Sequence, residues 1–121
     1  MQRNFLNCIL LLGLSFSASV FADDWYHVGE TTHKVKLNYF ELEDSMWKYV
    51  RSQTTSVFDN RSAYAYQFKI DGNDMLINAI CHFEDPSELV TDFVTRDDDG
   101  TCNFQVNYNL ETKEFSSLRI N

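Results

Sequence analysis

One change of hydrophobic period, near Asn60, constrains this chain more than any other feature. Before it, in KVKLNYFELEDSMWKYVRSQTTSVF, the residues Leu42, Met46, Tyr49, Val50 and Gln53 recur at spacings of three and four. Glu43, Lys48 and Arg51 fall largely on the other side. That spacing predicts an amphipathic helix over Tyr39–Thr54. After the change, in SAYAYQFKID, Tyr64, Tyr66, Phe68 and Ile70 alternate with Ala65, Gln67 and Lys69. This is the pattern of a half-buried strand. Asp71-Gly72-Asn73-Asp74 is turn chemistry and MLINAICHF a second, more buried strand, so an antiparallel hairpin is expected. TDFVTR reads as a third strand. TCNFQVNYNL reads as a fourth, with Cys102, Phe104, Val106 and Tyr108 alternating against Asn103, Gln105 and Asn107. KEFSSLRIN closes the chain after a turn near Glu111–Lys113, and DDWYHVGETTH reads as an irregular arm. One helix followed by a four- to five-stranded antiparallel sheet is an α+β domain, with the helix laid across one face.

The N-terminus reads as a leader rather than as part of that fold. Arg3, the apolar run Phe5–Leu14 and the ending Val20-Phe21-Ala22 make a secretory signal peptide, with cleavage expected after Ala22. The apolar run is short for a bilayer span, so no membrane anchor is expected. Cys8 lies inside the run rather than at its end, unlike a lipoprotein acylation site. Residues 1–22 are therefore the leader, and residues 23–121 form a single exported domain of 99 residues. A domain of this size has no room for separate catalytic and binding units, and its modest core benefits from a covalent staple. Cys81 and Cys102 are the two cysteines left to it. In an oxidising compartment they have one intramolecular pairing, which contributes about 3 kcal/mol by chain entropy. Two thiols without CxxC, and without histidines at ligand spacing, make a poor zinc site.

Loss of Arg3 takes the formal net charge from −8 to −9, because all 18 acidic residues lie beyond Ala22. Such a balance repels phosphates and excludes nucleic acid and anionic membranes as partners. It favours solubility or a basic protein partner. The acids gather in three places: Glu41, Glu43 and Asp44; Glu84, Asp85 and Glu88; and Asp97, Asp98 and Asp99 within TRDDDGTC. The last stretch has the composition of a hairpin tip, since aspartate and glycine tolerate turn geometry. As a calcium loop it fails. With Gly100 at the sixth position, Thr95 and Val106 stand where the first carboxylate and the bidentate glutamate belong. His27, His33 and His82 form no recognised metal pattern, and no nucleophile elbow, P-loop or dinucleotide fingerprint is present. No cofactor, metal or catalytic residue is expected, and the chain is not read as an enzyme. Surface recognition remains, with acids steering encounter and Trp25, Tyr26, Tyr39 and Trp47 as the aromatics that could anchor a partner. Trp47 also belongs, with Met46 and Tyr49, to the core side of the helix.

The stretches SVFADDW, YFELEDSMWKYV, YAYQFKIDGNDMLINAICHFED and FVTRDDDGTCNFQVNYNLETKEFSSLRIN resemble a periplasmic immunity protein of a type VI secretion system. The resemblance spans the whole mature chain and has no short diagnostic motif. It implies a periplasmic antitoxin against a peptidoglycan hydrolase, the basic lysozyme-like (muramidase) domain of an evolved VgrG spike effector. The implied mechanism is occlusion of the glycan groove. Acids would meet a cationic rim, while a neutral donor approaches the catalytic carboxylate, which would repel another carboxylate. Glu41, Glu43 and Asp44, or Asp97, Asp98 and Asp99, are the expected rim contacts. A general lysozyme inhibitor and a small calcium- or ligand-binding module are the alternatives. An isologous homodimer through an edge strand is compatible with a small sheet.

Overall fold

The computed structural model describes residues 24–29, 36–83, 85–96 and 99–121. The expected leader, residue 23, residues 30–35 with His33, Glu84, Asp97 and Asp98 lie outside them. Five strands form one sheet in the order β1 (Trp25–His27), β2 (Tyr64–Asp71), β3 (Asp74–Cys81), β4 (Asn103–Asn109) and β5 (Phe115–Ile120). Neighbours from β2 to β5 are antiparallel. One helix, α1 (Tyr39–Gln53), packs on the sheet, so the α+β expectation holds. Two of the expected elements change.

The arm before the helix is not irregular throughout: Trp25–His27 pairs parallel with β2, Trp25 opposite Tyr66. Three residues are too few to show a period, and side-chain packing determines their place. The Trp25 ring lies 4.6 Å from Tyr66, 5.3 Å from Tyr39 and 6.2 Å from Phe68. TDFVTR, in turn, is not a strand. It belongs to a strap, residues 85–96, that crosses the sheet face opposite α1 and begins with the short helical turn Pro86–Val90. Asp99 and the short turn Gly100–Cys102 therefore lead into β4 and do not cap a hairpin.

α1 begins where the Asn38 side chain accepts the Glu41 amide at 3.2 Å, capping one free N–H. It buries Leu42, Met46, Trp47 and Val50, while Gln53 turns out to solvent. Trp47 is the centre of this face, edge-on to Phe58, Tyr64 and Phe104 at 5.4, 5.0 and 5.3 Å. Such aromatic pairs add to ordinary area burial. Below them lie Tyr66, Phe68, Met75, Ile77, Ala79, Val106 and Tyr108, one face of the three central strands. The β2–β3 turn has two residues, Gly72 and Asn73, with positive φ at Gly72 alone (62°). That is the II′ geometry, whose twist matches the strands.

The other face of β2 is not solvated, as a half-buried strand would require. Ala65, Ile80 and Leu89 form a small apolar cluster with Tyr26, Phe83 and Val94 packed on it. Beside them Gln67, Asn78 and Gln105 stand directly opposite one another on β2, β3 and β4. Asn78 Nδ2 donates to Gln67 Oε1 at 2.8 Å, and Gln105 Nε2 donates to Asn78 Oδ1 at 2.6 Å. This row of amides holds the strap through its backbone. Gln67 donates to the carbonyls of Leu89 (2.8 Å) and Asp92 (2.7 Å), and accepts the Val94 amide at 2.8 Å. Asn78 donates to the Val94 carbonyl at 2.9 Å, and Asn103 accepts the Arg96 amide at 3.0 Å. Side chains thus take the hydrogen bonds that a neighbouring strand would have supplied. TDFVTR lies across the sheet for that reason.

Candidate binding surface at the stapled end

The register places two different ends on the sheet. At one, Asp71 pairs with Asp74, which is opposite Asn109. Here the two β-turns are tied together, the Leu110 amide donating to the Asn73 carbonyl at 2.7 Å and Asn73 Nδ2 to Glu111 at 2.9 Å. At the other, Tyr64 pairs with Cys81, and Cys102 immediately precedes β4. The Cys81–Cys102 disulfide joins neighbouring strand ends there, as expected, with the Cα atoms 5.1 Å apart.

Three segments converge on this stapled end. The strap delivers Arg96, whose guanidinium donates to the carbonyls of His82 (2.8 Å) and Cys81 (3.3 Å) and lies 3.6 Å from the Asp99 carboxylate. The short turn Gly100–Cys102 follows Asp99, with Gly100 at a φ of 57° that favours glycine. The third segment is the loop from Thr54 to Asn60. It leaves α1 with the Thr54 amide bonded to the Val50 carbonyl at 3.2 Å. It is fixed again at Phe58, which lies edge-on to Phe104 at 5.5 Å as well as to Trp47. Tyr64 then bridges the loop to the turn, accepting the Asp59 amide at 3.3 Å and donating to the Thr101 carbonyl at 2.7 Å. Burial raises the pKa of that hydroxyl, so it stays a donor. His82 Nε2 meets Asp59 at 3.0 Å. Between the two anchored feet Thr55, Ser56 and Val57 project, and Val57 is 87% exposed. An open cleft of about 580 Å³ lies beside the loop, lined by Trp47, Arg51 and Arg61 together with loop residues.

The expected contact residues divide among these places. Asp99 lies at the stapled end, and its neighbours Asp97 and Asp98 lie outside the described residues. Glu41 is exposed in the first turn of α1, facing a cleft of about 550 Å³ that also includes Leu110 and Lys113 near the opposite end. Glu43 and Asp44 are engaged within the molecule. Glu43 accepts the Tyr66 hydroxyl at 2.5 Å and meets Arg61 at 3.4 Å. Tyr66 in turn accepts Trp47 Nε1 at 2.8 Å. Asp44 pairs with Lys48 and with Arg61, each at 3.3 Å, and those hydrogen bonds hold its pKa below the usual carboxylate range. Asp85, from the second acidic group, caps the Pro86–Val90 turn by accepting the Ser87 amide at 3.0 Å, which lowers its pKa. Two of the four expected aromatic anchors are buried. Trp25 (8% exposed) and Trp47 (2%) are core residues and cannot anchor a partner. The exposed candidate that replaces them, Val57, follows TTS and precedes Phe58. In the sequence it is one half of the Val57-Phe58 pair, and nothing local marks it as the exposed member.

Among the described residues, buried polar side-chain atoms all have hydrogen-bond partners. No helix among them is long and apolar enough to cross a membrane. Comparison with protein-family models, with curated proteins and with solved structures finds no match to this chain.

Proposed function

We propose that this protein is a periplasmic immunity protein that binds a peptidoglycan hydrolase effector of the type VI VgrG class and occludes its glycan groove. The observation that carries this reading is the Thr54–Asn60 loop: its feet are fixed in the core and its apex, Val57, is open to solvent. A loop held in one shape loses little entropy on binding, and an exposed apolar tip that follows the hydroxyl side chains of Thr54, Thr55 and Ser56 suits insertion into a groove. Thr55 and Ser56 supply neutral donors beside that tip, the chemistry that can approach a catalytic carboxylate without repulsion. Asp97, Asp98 and Asp99 follow the strap in sequence and serve as acids for a cationic rim. Glu41 is the helix acid open to solvent, whereas Glu43 and Asp44 act chiefly by holding Arg61 and Tyr66.

The test is titration of the purified protein into the muramidase domain of the VgrG effector, following binding and peptidoglycan hydrolysis together. Tight binding with loss of hydrolysis is expected. Val57→Glu should weaken it by about 1–2 kcal/mol or more, the range of an interface hot spot, while leaving the melting temperature unchanged. Absence of binding at low salt overturns the proposal. Equal inhibition of an unrelated lysozyme would instead make the protein a general lysozyme inhibitor.

A further inference from the structure

We propose that reduction of the Cys81–Cys102 disulfide turns the stapled end into a four-ligand site for a divalent cation of the zinc class. The ligands are Sγ of Cys81, Sγ of Cys102, a ring nitrogen of His82 and a carboxylate oxygen of Asp59. One such atom from each residue lies within 4.8 Å of all the others. Two sulfurs, one imidazole and one carboxylate are a donor set that tetrahedral zinc accepts.

The backbone brings these groups together in a way a regular strand would not. Successive strand residues point to opposite faces, so Cys81 and His82 should diverge. His82 instead takes a φ of 55°, in the left-handed region rarely used by a non-glycine residue. The turn carries its Nε2 to 3.0 Å from Asp59 Oδ2, the same oxygen that lies 3.4 Å from Cys81 Sγ. Arg96 stabilises that turn by binding the carbonyls of both Cys81 and His82. Asp59 is held from its other side, its amide donating to the Tyr64 hydroxyl. Strain kept in place by specific hydrogen bonds, and converging on a ligand set, is unusual for a plain surface turn. The adjacency of Cys81 and His82 carries little weight as a sequence spacing; the folded turn gives it meaning.

In the oxidised protein the sulfurs are bonded to each other and the site is closed. Reduction by a phosphine adds two electrons and two protons to the pair, and the phosphine leaves as its oxide with oxygen from water. Binding of the cation then releases the two thiol protons, leaving two thiolates, a neutral imidazole and a carboxylate around it. The metal would replace the covalent staple and would also clamp the Thr54–Asn60 loop through Asp59.

The experiment is anaerobic titration of the phosphine-reduced protein with Co²⁺, then Zn²⁺, with the oxidised protein as control. One equivalent of Co²⁺ should give thiolate-to-cobalt charge transfer and intense tetrahedral visible bands, both abolished by Zn²⁺. The oxidised protein should show neither. His82→Ala and Asp59→Asn should each weaken binding by more than the roughly 10- to 100-fold that loss of an outer-shell partner costs. If reduction alone unfolds the chain, circular dichroism is followed during the same titration, and recovery of structure at one equivalent supports the site. Absence of the bands in a folded reduced protein overturns it. So does failure to recover structure, or affinity indifferent to both substitutions.

Discussion

The two faces of the sheet are built from opposite materials. Under α1, the central strands present aromatic and aliphatic side chains around Trp47. On the far side, beside the small cluster of Ala65, Ile80 and Leu89, they present a row of amides, Gln67, Asn78 and Gln105, to a strap that is irregular after the turn Pro86–Val90. The first face gains its stability from apolar area and ring packing. The second uses directional bonds, each modest when made and costly when one partner is left alone. What the contrast teaches is that a face rich in Asn and Gln can be interior if the covering segment is irregular enough to need its hydrogen bonds.

Removal of Trp47 should break the comparison most severely. Trp47→Ala opens a cavity among Phe58, Tyr64 and Phe104 and leaves the Tyr66 hydroxyl without a donor. A loss of about 3–5 kcal/mol in chemical unfolding is expected. The amide face should respond less, yet more than a solvated face would. Asn78→Ala strands its partners on Gln67, Gln105 and Asn103, and should cost about 2–3 kcal/mol. It should also speed amide exchange at Val94, whose N–H is held by Gln67. A cost under about 0.5 kcal/mol, the size of a surface change, would mean that the strap is not held by the ladder.

Tyr66→Phe tests the polar thread inside the apolar face and should cost about 1 kcal/mol at neutral pH. Its clearer signature is alkaline. Burial first, and then the Glu43 hydrogen bond, raise the hydroxyl pKa in the folded state. The stability this contributes is complete below the unfolded value of about 10, and is lost as pH rises through the folded value. Melting temperatures between pH 9 and 11 should therefore fall less steeply in Tyr66→Phe, flanked by the similarly raised Tyr39 and Tyr64. Asp44 gives the smallest effect, with the opposite sign. Its lowered pKa adds stability above the ordinary carboxylate range, lost as pH falls through the folded value. Asp44→Asn should flatten the acid limb of the stability curve, lowering stability slightly at pH 7 and leaving it unchanged below the folded value.

The helix and the central hairpin were legible because apolar residues repeat along them, at 42, 46 and 50 and then at 64, 66 and 68. The amide ladder was not, because Gln67, Asn78 and Gln105 look like a solvent face until the strap is known to cover them. β1 escaped notice because three residues have no period. At the stapled end the cysteine pair could be read by elimination. Val57, Asp59 and Arg96 could not, because their significance comes from neighbours far along the chain.

The sequence by itself therefore determined the class of fold, the helix, the hairpin and the staple, all consequences of local periodicity, turn chemistry and cysteine count. Tertiary structure alone decided which polar residues are interior, how His82 turns toward Asp59 and which loop stands free with its tip exposed. The reason is physical: periodicity reports which way a side chain points along its own element, while burial and hydrogen-bond partners depend on what another segment lays over it.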